Sequence, residues 1–146
     1  MEEFRIFLAH GNSLLWMQVA RFIEKELGLD VIALEEQANR GRTIIEKLED
    51  EIEDCDFAII IMTAEDEQKE GEVRARQNVV HEIGFCQGKL GRENVLVLRQ
   101  NSVEEFSNIS GIVYEPFAGD AISATFEKIR QELRDAADDY DDDDDY

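Results

Sequence analysis

An open, five-stranded parallel sheet with helices on both faces is the fold that this sequence predicts, and three observations predict it. Short apolar runs alternate with stretches of helical periodicity along most of the chain. The apolar runs are continuous, as in FAIIIM at positions 57 to 62, which marks strands covered on both faces. The length, 146 residues, is that of one domain, and five strands in such a length give a flavodoxin-like α/β fold.

The elements follow in order. FRIFLA, residues 4 to 9, ends at His10-Gly11-Asn12, a strand giving way to a Gly-containing turn. Leu14, Leu15, Val19, Phe22, Ile23 and Leu27 then recur at helical spacing, with Asn12 or Ser13 as the expected cap and Gly28 as the stop. The alternation continues through a strand at 31–34, a helix at 43–53, a strand at 57–63, a helix at 75–90, strands at 95–98 and 112–117, and a helix at 121–136. Ala64 to Glu72 reads as a long polar connection, a binding element or disorder. In a sheet of this kind ligands bind beyond the carboxyl ends of the strands, where the strand order reverses. Functional residues are therefore expected in the loops after the first three strands.

Hydrophobic residues make up 43% of the chain and charged ones 34%, a balance that fits a soluble globular domain. The formal net charge is −20, and residues 138–146 (DDYDDDDDY) supply seven of those negative charges. The expected organisation is a domain over 1–137 and a disordered acidic tail over 138–146, since adjacent like charges repel and nothing apolar offsets the ordering entropy. So acidic a surface repels phosphate backbones, which argues against nucleic acid as a partner, and the same repulsion opposes contact between two copies. No apolar run approaches the roughly 20 residues of a membrane span, and no basic segment leads into an apolar stretch at the N-terminus. A cytoplasmic location and no membrane partner are expected. Cys55 and Cys86 lack metal or redox spacing and read as reduced core thiols; no metal site is expected.

Three places carry residues suited to chemistry. Thr43 and Glu46 form a capping box whose helix start faces the loop Asn39-Arg40-Gly41-Arg42. There Arg40 and Arg42 either attract a pyrophosphate beside a positive helix end or neutralise Glu35 and Glu36 at the surface. His10 and Gly11 end the first strand and Thr63 ends the third, all three at the edge expected to bind ligand. On the helix at 75–90, Val79, Ile83, Cys86 and Leu90 make an apolar stripe, with Glu82 on its border and Asn78 one turn earlier. A glutamate there is either an ion-pair partner of Arg76 or Lys89, or a desolvated carboxylate that interacts strongly with positive charge developing in a substrate. Neither GxGxxG nor GxxxxGK[ST] occurs, so hydride transfer and phosphoryl transfer lose their usual supports.

Taken together, FLAHG, GRTIIEKLE, the strand ending IMT, RARQNVVHEIGF and ISGIVYEPF resemble the bacterial TIR-like nucleotide-binding domain, of the type fused to STING domains in antiphage systems. The likeness runs from about Phe4 to Leu133. It implies a flavodoxin-like TIR fold and NAD+ glycohydrolase activity, with NAD+ as substrate and no cofactor. It also implies that Glu82 is the catalytic carboxylate, that the loop of Arg40 and Arg42 is the BB loop that gates the site and mediates assembly, and that His10, Gly11, Thr63 and Asn78 contact or orient substrate. Self-association or an activating partner is implied as well. Two competing readings are a non-catalytic TIR module that assembles or senses nucleotides, and a phosphoacceptor receiver domain. The receiver is disfavoured by His10-Gly11-Asn12 and Thr63 where acidic residues would be needed.

Overall fold

The computed structural model describes residues 4–11, 13–35, 49–103 and 112–144. Five strands, β1 (Arg5–His10), β2 (Asp30–Glu35), β3 (Phe57–Met62), β4 (Val95–Gln100) and β5 (Val113–Phe117), form one sheet in the order β2-β1-β3-β4-β5. Every pairing is parallel. The flavodoxin-like α/β arrangement read from the apolar runs is thus the observed one. Helices α1 (Trp16–Glu26), α2 (Ala64–Glu70), α3 (Glu72–Leu90) and α4 (Phe126–Asp144) pack around it, and residues 49–52 are helical as well. No helix among the described residues is long and apolar enough to cross a membrane.

Period-2 alternation along each strand divides the core in two. Ile6 and Leu8 of β1 with Phe57, Ile59 and Ile61 of β3 meet Val19, Phe22 and Ile23 of α1 and Ile129 and Leu133 of α4. On the other face Phe7, Ala9, Ala58, Ile60 and Met62 meet Ile52, Ile83 and Cys86. Both faces of β1 and β3 are therefore dry, and FAIIIM has no polar position because none of its side chains reaches water. Pro116 is tolerated within β5 because that strand is the edge of the sheet, where a missing N–H need not break a ladder.

Several boundaries differ from the sequence reading, each for a physical reason. Helix α1 starts at Trp16 without a side-chain cap; Ser13 instead accepts a hydrogen bond from the Leu15 N–H at 3.4 Å, and Asn12 lies outside the described residues. Gly28 does stop the helix, at φ +67°. The stretch expected to be a polar connection after β3 is helix α2, whose first N–H, that of Ala64, donates to the Gln100 side chain at 2.8 Å. Gly71, at φ +81°, separates α2 from α3, a backbone conformation in which any other residue would be strained. Helix α4 continues to Asp144, through most of the acidic segment read as disordered. Extending an existing helix costs far less than nucleating one, and α4 is nucleated by the buried Ile129, Leu133 and Ala136. The capping box at Thr43 and Glu46 lies outside the described residues.

Truncating a core side chain on the α3 face tests this packing. Ile60→Ala should lower the unfolding free energy by about 2–5 kcal/mol, seen as a lower urea midpoint at unchanged slope. Val80→Ala, at an exposed position of α3, should move it by less than about 0.5 kcal/mol.

Candidate active site

The strand order reverses direction at β1 and β3. β2 lies on one side of β1, whereas β3, β4 and β5 succeed one another on the other. In open parallel sheets of this order, ligands bind at such a switch point, in the crevice outside the carboxyl ends of the strands. The register pairs Ala9 with Ile60, which brings His10 and Gly11 level with the end of β3 and with Thr63 just beyond it. All three residues are buried.

His10 is held in two ways. Its Nδ1 lies 2.8 Å from the Gly11 carbonyl oxygen; a carbonyl only accepts, so Nδ1 carries a proton and donates. The imidazole also stacks on Trp16, with centroids 4.2 Å apart and planes 11° from parallel. Alternation along β1 puts it on the same face as Leu8, the face covered by α1. A rigid ring at the end of β1 can line a ligand but cannot swing far to meet one.

Glu82 approaches from the other face. It sits on α3 beside Ile83 and one turn before Cys86, and its side chain is 0% exposed. The border position read from the sequence is thus deeply buried. Helix α3 runs antiparallel to the strands: its end at Leu90 shares a cavity of about 300 Å³ with Phe4, Cys55, Asp56 and Asn94, at the amino edge of the sheet. At 1.5 Å per residue Glu82 lies about 12 Å from that end and Asn78 about 18 Å, against strands about 20 Å long. Asn78, half-buried, is therefore near the level of the carboxyl edge, and Glu82 is one turn below it.

The Cys86 thiol registers the low polarity beside Glu82. Burial pushes the Cys86 thiol up to about 12, and the negative charge of Glu82 pushes in the same direction. Cys55 is likewise raised to about 12, mainly by burial, with Arg5 opposing. Both thiols are free and buried, as their apolar surroundings in the sequence implied.

The structure thus brings His10, Gly11 and Thr63 to one edge, with Asn78 and Glu82 rising toward it along α3. Arg40 and Arg42 lie outside the described residues. No group of three or more His, Cys, Asp or Glu placed to hold a metal ion occurs among the described residues. One residue that the sequence reading passed over helps hold the edge together. Gln100, ending β4, accepts from the Ala64 N–H and donates to the Gly119 carbonyl, both at 2.8 Å. It ties the exits of β3, β4 and β5, and only its position at a strand end could have signalled it.

Comparison with known proteins bears on this arrangement. Residues 5–119 match the family model described as CAP12/Pycsar effector protein, TIR domain. The chain is 45% identical over 116 residues to the uncharacterized protein YuaY of Escherichia coli K12, covering 75% of this chain and 38% of YuaY. It is 39% identical over 107 residues to protein tirC of Dictyostelium discoideum, covering 66% of this chain and 53% of tirC. With the Pycsar effector protein PaPycTIR of Pseudomonas aeruginosa the identity is 30% over 105 residues, covering 66% of this chain and 34% of that protein. The chain thus spans about a third to a half of the length of these relatives.

The two thiols supply a direct check on burial in the core beneath α3. Their raised values mean that the native state keeps protons which the unfolded chain, near 9, releases. The associated stability is complete below pH 9 and is lost as pH rises from about 9 to about 12. Denaturant titrations should show that decline, and a thiol reagent at pH 8 should react with neither cysteine until the protein unfolds. Rapid labelling of the native protein would contradict the burial.

Proposed function

Because the chain belongs to the TIR-domain family of CAP12/Pycsar effectors, we propose that it is an NAD+ glycohydrolase that cleaves the bond between nicotinamide and ribose. The observation that carries this reading is Glu82, a carboxylate wholly buried on α3 beside the crevice at the switch in strand order.

The chemistry suits a single carboxylate. In NAD+ the nicotinamide nitrogen is part of a pyridinium; as its bond to the ribose C1′ breaks, the electron pair stays with nicotinamide, which leaves neutral and needs no proton. Ordinary glycosides need a second carboxyl to protonate the leaving oxygen, and none is required here. The ribose becomes oxocarbenium-like, and Glu82, contacting the ribose hydroxyls, stabilises that charge electrostatically in a site of low polarity. Water attacking C1′ completes hydrolysis and releases its proton to solvent; another nucleophile admitted to the same site would give a cyclic or base-exchanged product.

The remaining roles follow from position. Asn78, one turn nearer the edge, orients Glu82 or the ribose. Arg40 and Arg42 hold the pyrophosphate, and His10, Gly11 and Thr63 line the opposite wall of the crevice. Activity depends on self-association or on an activating partner, and NAD+ in the cytoplasm is the substrate pool. Membership in this effector family is compatible with antiphage defence, the setting in which depletion of a cofactor or production of a nucleotide signal is useful.

Replacing Glu82 separates catalysis from fold. Glu82→Gln keeps the volume and should leave a cooperative unfolding transition while reducing NAD+ cleavage at least about a hundredfold, the scale of losing one main electrostatic stabiliser. Cleavage at the wild-type rate would instead favour a non-catalytic TIR module. Specific activity of the wild type should also climb with protein concentration, since mass action populates the assembled state only above its dissociation constant. A dilution series with constant turnover per molecule would assign catalysis to the monomer.

A further inference from the structure

Positive charge gathers in one groove of this otherwise acidic molecule. Between α1 and α4 runs a groove of about 470 Å³ whose lining includes Arg21, Lys25 and Arg130 but one carboxylate, Glu26. The chain as a whole has 35 acidic residues to 15 Lys and Arg, so the groove inverts the balance of the surface around it. Phe22 and Phe126, also in the lining, stack with centroids 4.3 Å apart. The Arg130 guanidinium lies 5.4 Å from the centre of the Phe22 ring. Arg130 also bonds the exposed Glu127 at 2.9 Å, a pair too accessible to cancel the charge of the groove.

Helix α4 carries the complement of this groove further along its own axis. Lys128, Arg130 and Arg134 lie in its first half, whereas every charged residue from Asp135 to Asp145 is an aspartate. Within 138–146 the only other residues are Tyr140 and Tyr146, so the segment offers aromatic rings flanked by carboxylates to aromatic rings flanked by cations. It cannot serve its own groove. The helix is continuous to Asp144, and Asp138 lies about 12 Å beyond Arg130 along the axis, with the chain still moving away.

We propose that the α1–α4 groove is an interface for a second copy of this chain and receives that copy's acidic segment, residues 138–146. With the two α4 helices antiparallel about a twofold axis, each copy both offers a groove and supplies a segment, the self-complementary arrangement of a closed dimer. This rests on the self-association proposed above and not on NAD+ cleavage. It also reverses a sign. Like-charge repulsion over the whole surface predicts that salt promotes contact between copies, whereas a segment held by Arg21, Lys25 and Arg130 predicts that salt weakens it.

Sedimentation equilibrium of the full chain between about 0.02 and about 0.5 M salt reads that sign directly, because the screening length falls from about 20 Å to about 4 Å. The dimer dissociation constant should rise at least about tenfold across this range. At low salt Arg21→Glu with Lys25→Glu should weaken the dimer at least about tenfold, and adding Asp138→Lys, Asp139→Lys and Asp141→Lys to the same chain should restore it. Arg21 and Lys25 are exposed, and Arg21→Gln with Lys25→Gln replaces the reversal should that variant fail to fold. A dimer that tightens with salt, ignores the groove variants or is not restored by the compensating lysines overturns the proposal while leaving the activity of the site untouched. A wild type that stays monomeric throughout overturns the groove and self-association together.

Discussion

The antiparallel seating of α3 against the sheet is the constraint on which the candidate site depends. One side of that helix supplies Ile83 and Cys86 to the core shared with Phe7, Ala58 and Ile60, and this packing fixes its rotation and height. Once both are fixed, Glu82 is buried and Asn78 stands a turn above it. The carboxylate is placed by apolar contacts made by its neighbours, so its position is as rigid as the core itself.

Burying a carboxylate opposes folding, because the group gives up its hydration. Retention of a glutamate at such a place fits a site where desolvation is useful, since the same low polarity that penalises the charge strengthens its hold on a developing cation. The raised thiol of Cys86 reflects the same environment from the side of a group that loses by ionising in it. At the end of β1 the His10 ring contacts the Gly11 carbonyl and Trp16, and Gln100 binds three strand exits together. Fixed contacts of this kind at a strand edge are a condition under which electrostatic stabilisation needs little rearrangement.

Much of this was legible in the residues. The central strands were readable because a strand buried on both faces must be apolar throughout, as FAIIIM is, and the edge strands β2 and β5 from their place in the alternation with helices. The switch point followed from topology, and with it the neighbourhood of His10, Gly11 and Thr63. Helix α2 was not legible: AEDEQKE has no apolar stripe, and a contact from Gln100, 36 residues away, satisfies its first N–H. The depth of Glu82 was hidden for a similar reason. Periodicity gives the angle of a residue around its helix but not which elements cover that side, so a border position can prove interior. The stack of His10 on Trp16 joins two elements whose relative placement only the fold determines.

The central claim is that this crevice breaks the bond between nicotinamide and ribose. Incubating the concentrated chain with NAD+ and separating the products by chromatography tests it most directly. The account predicts free nicotinamide appearing in step with the loss of NAD+, together with an ADP-ribose-containing product. Intact NAD+ after prolonged incubation with folded, self-associated protein would contradict it.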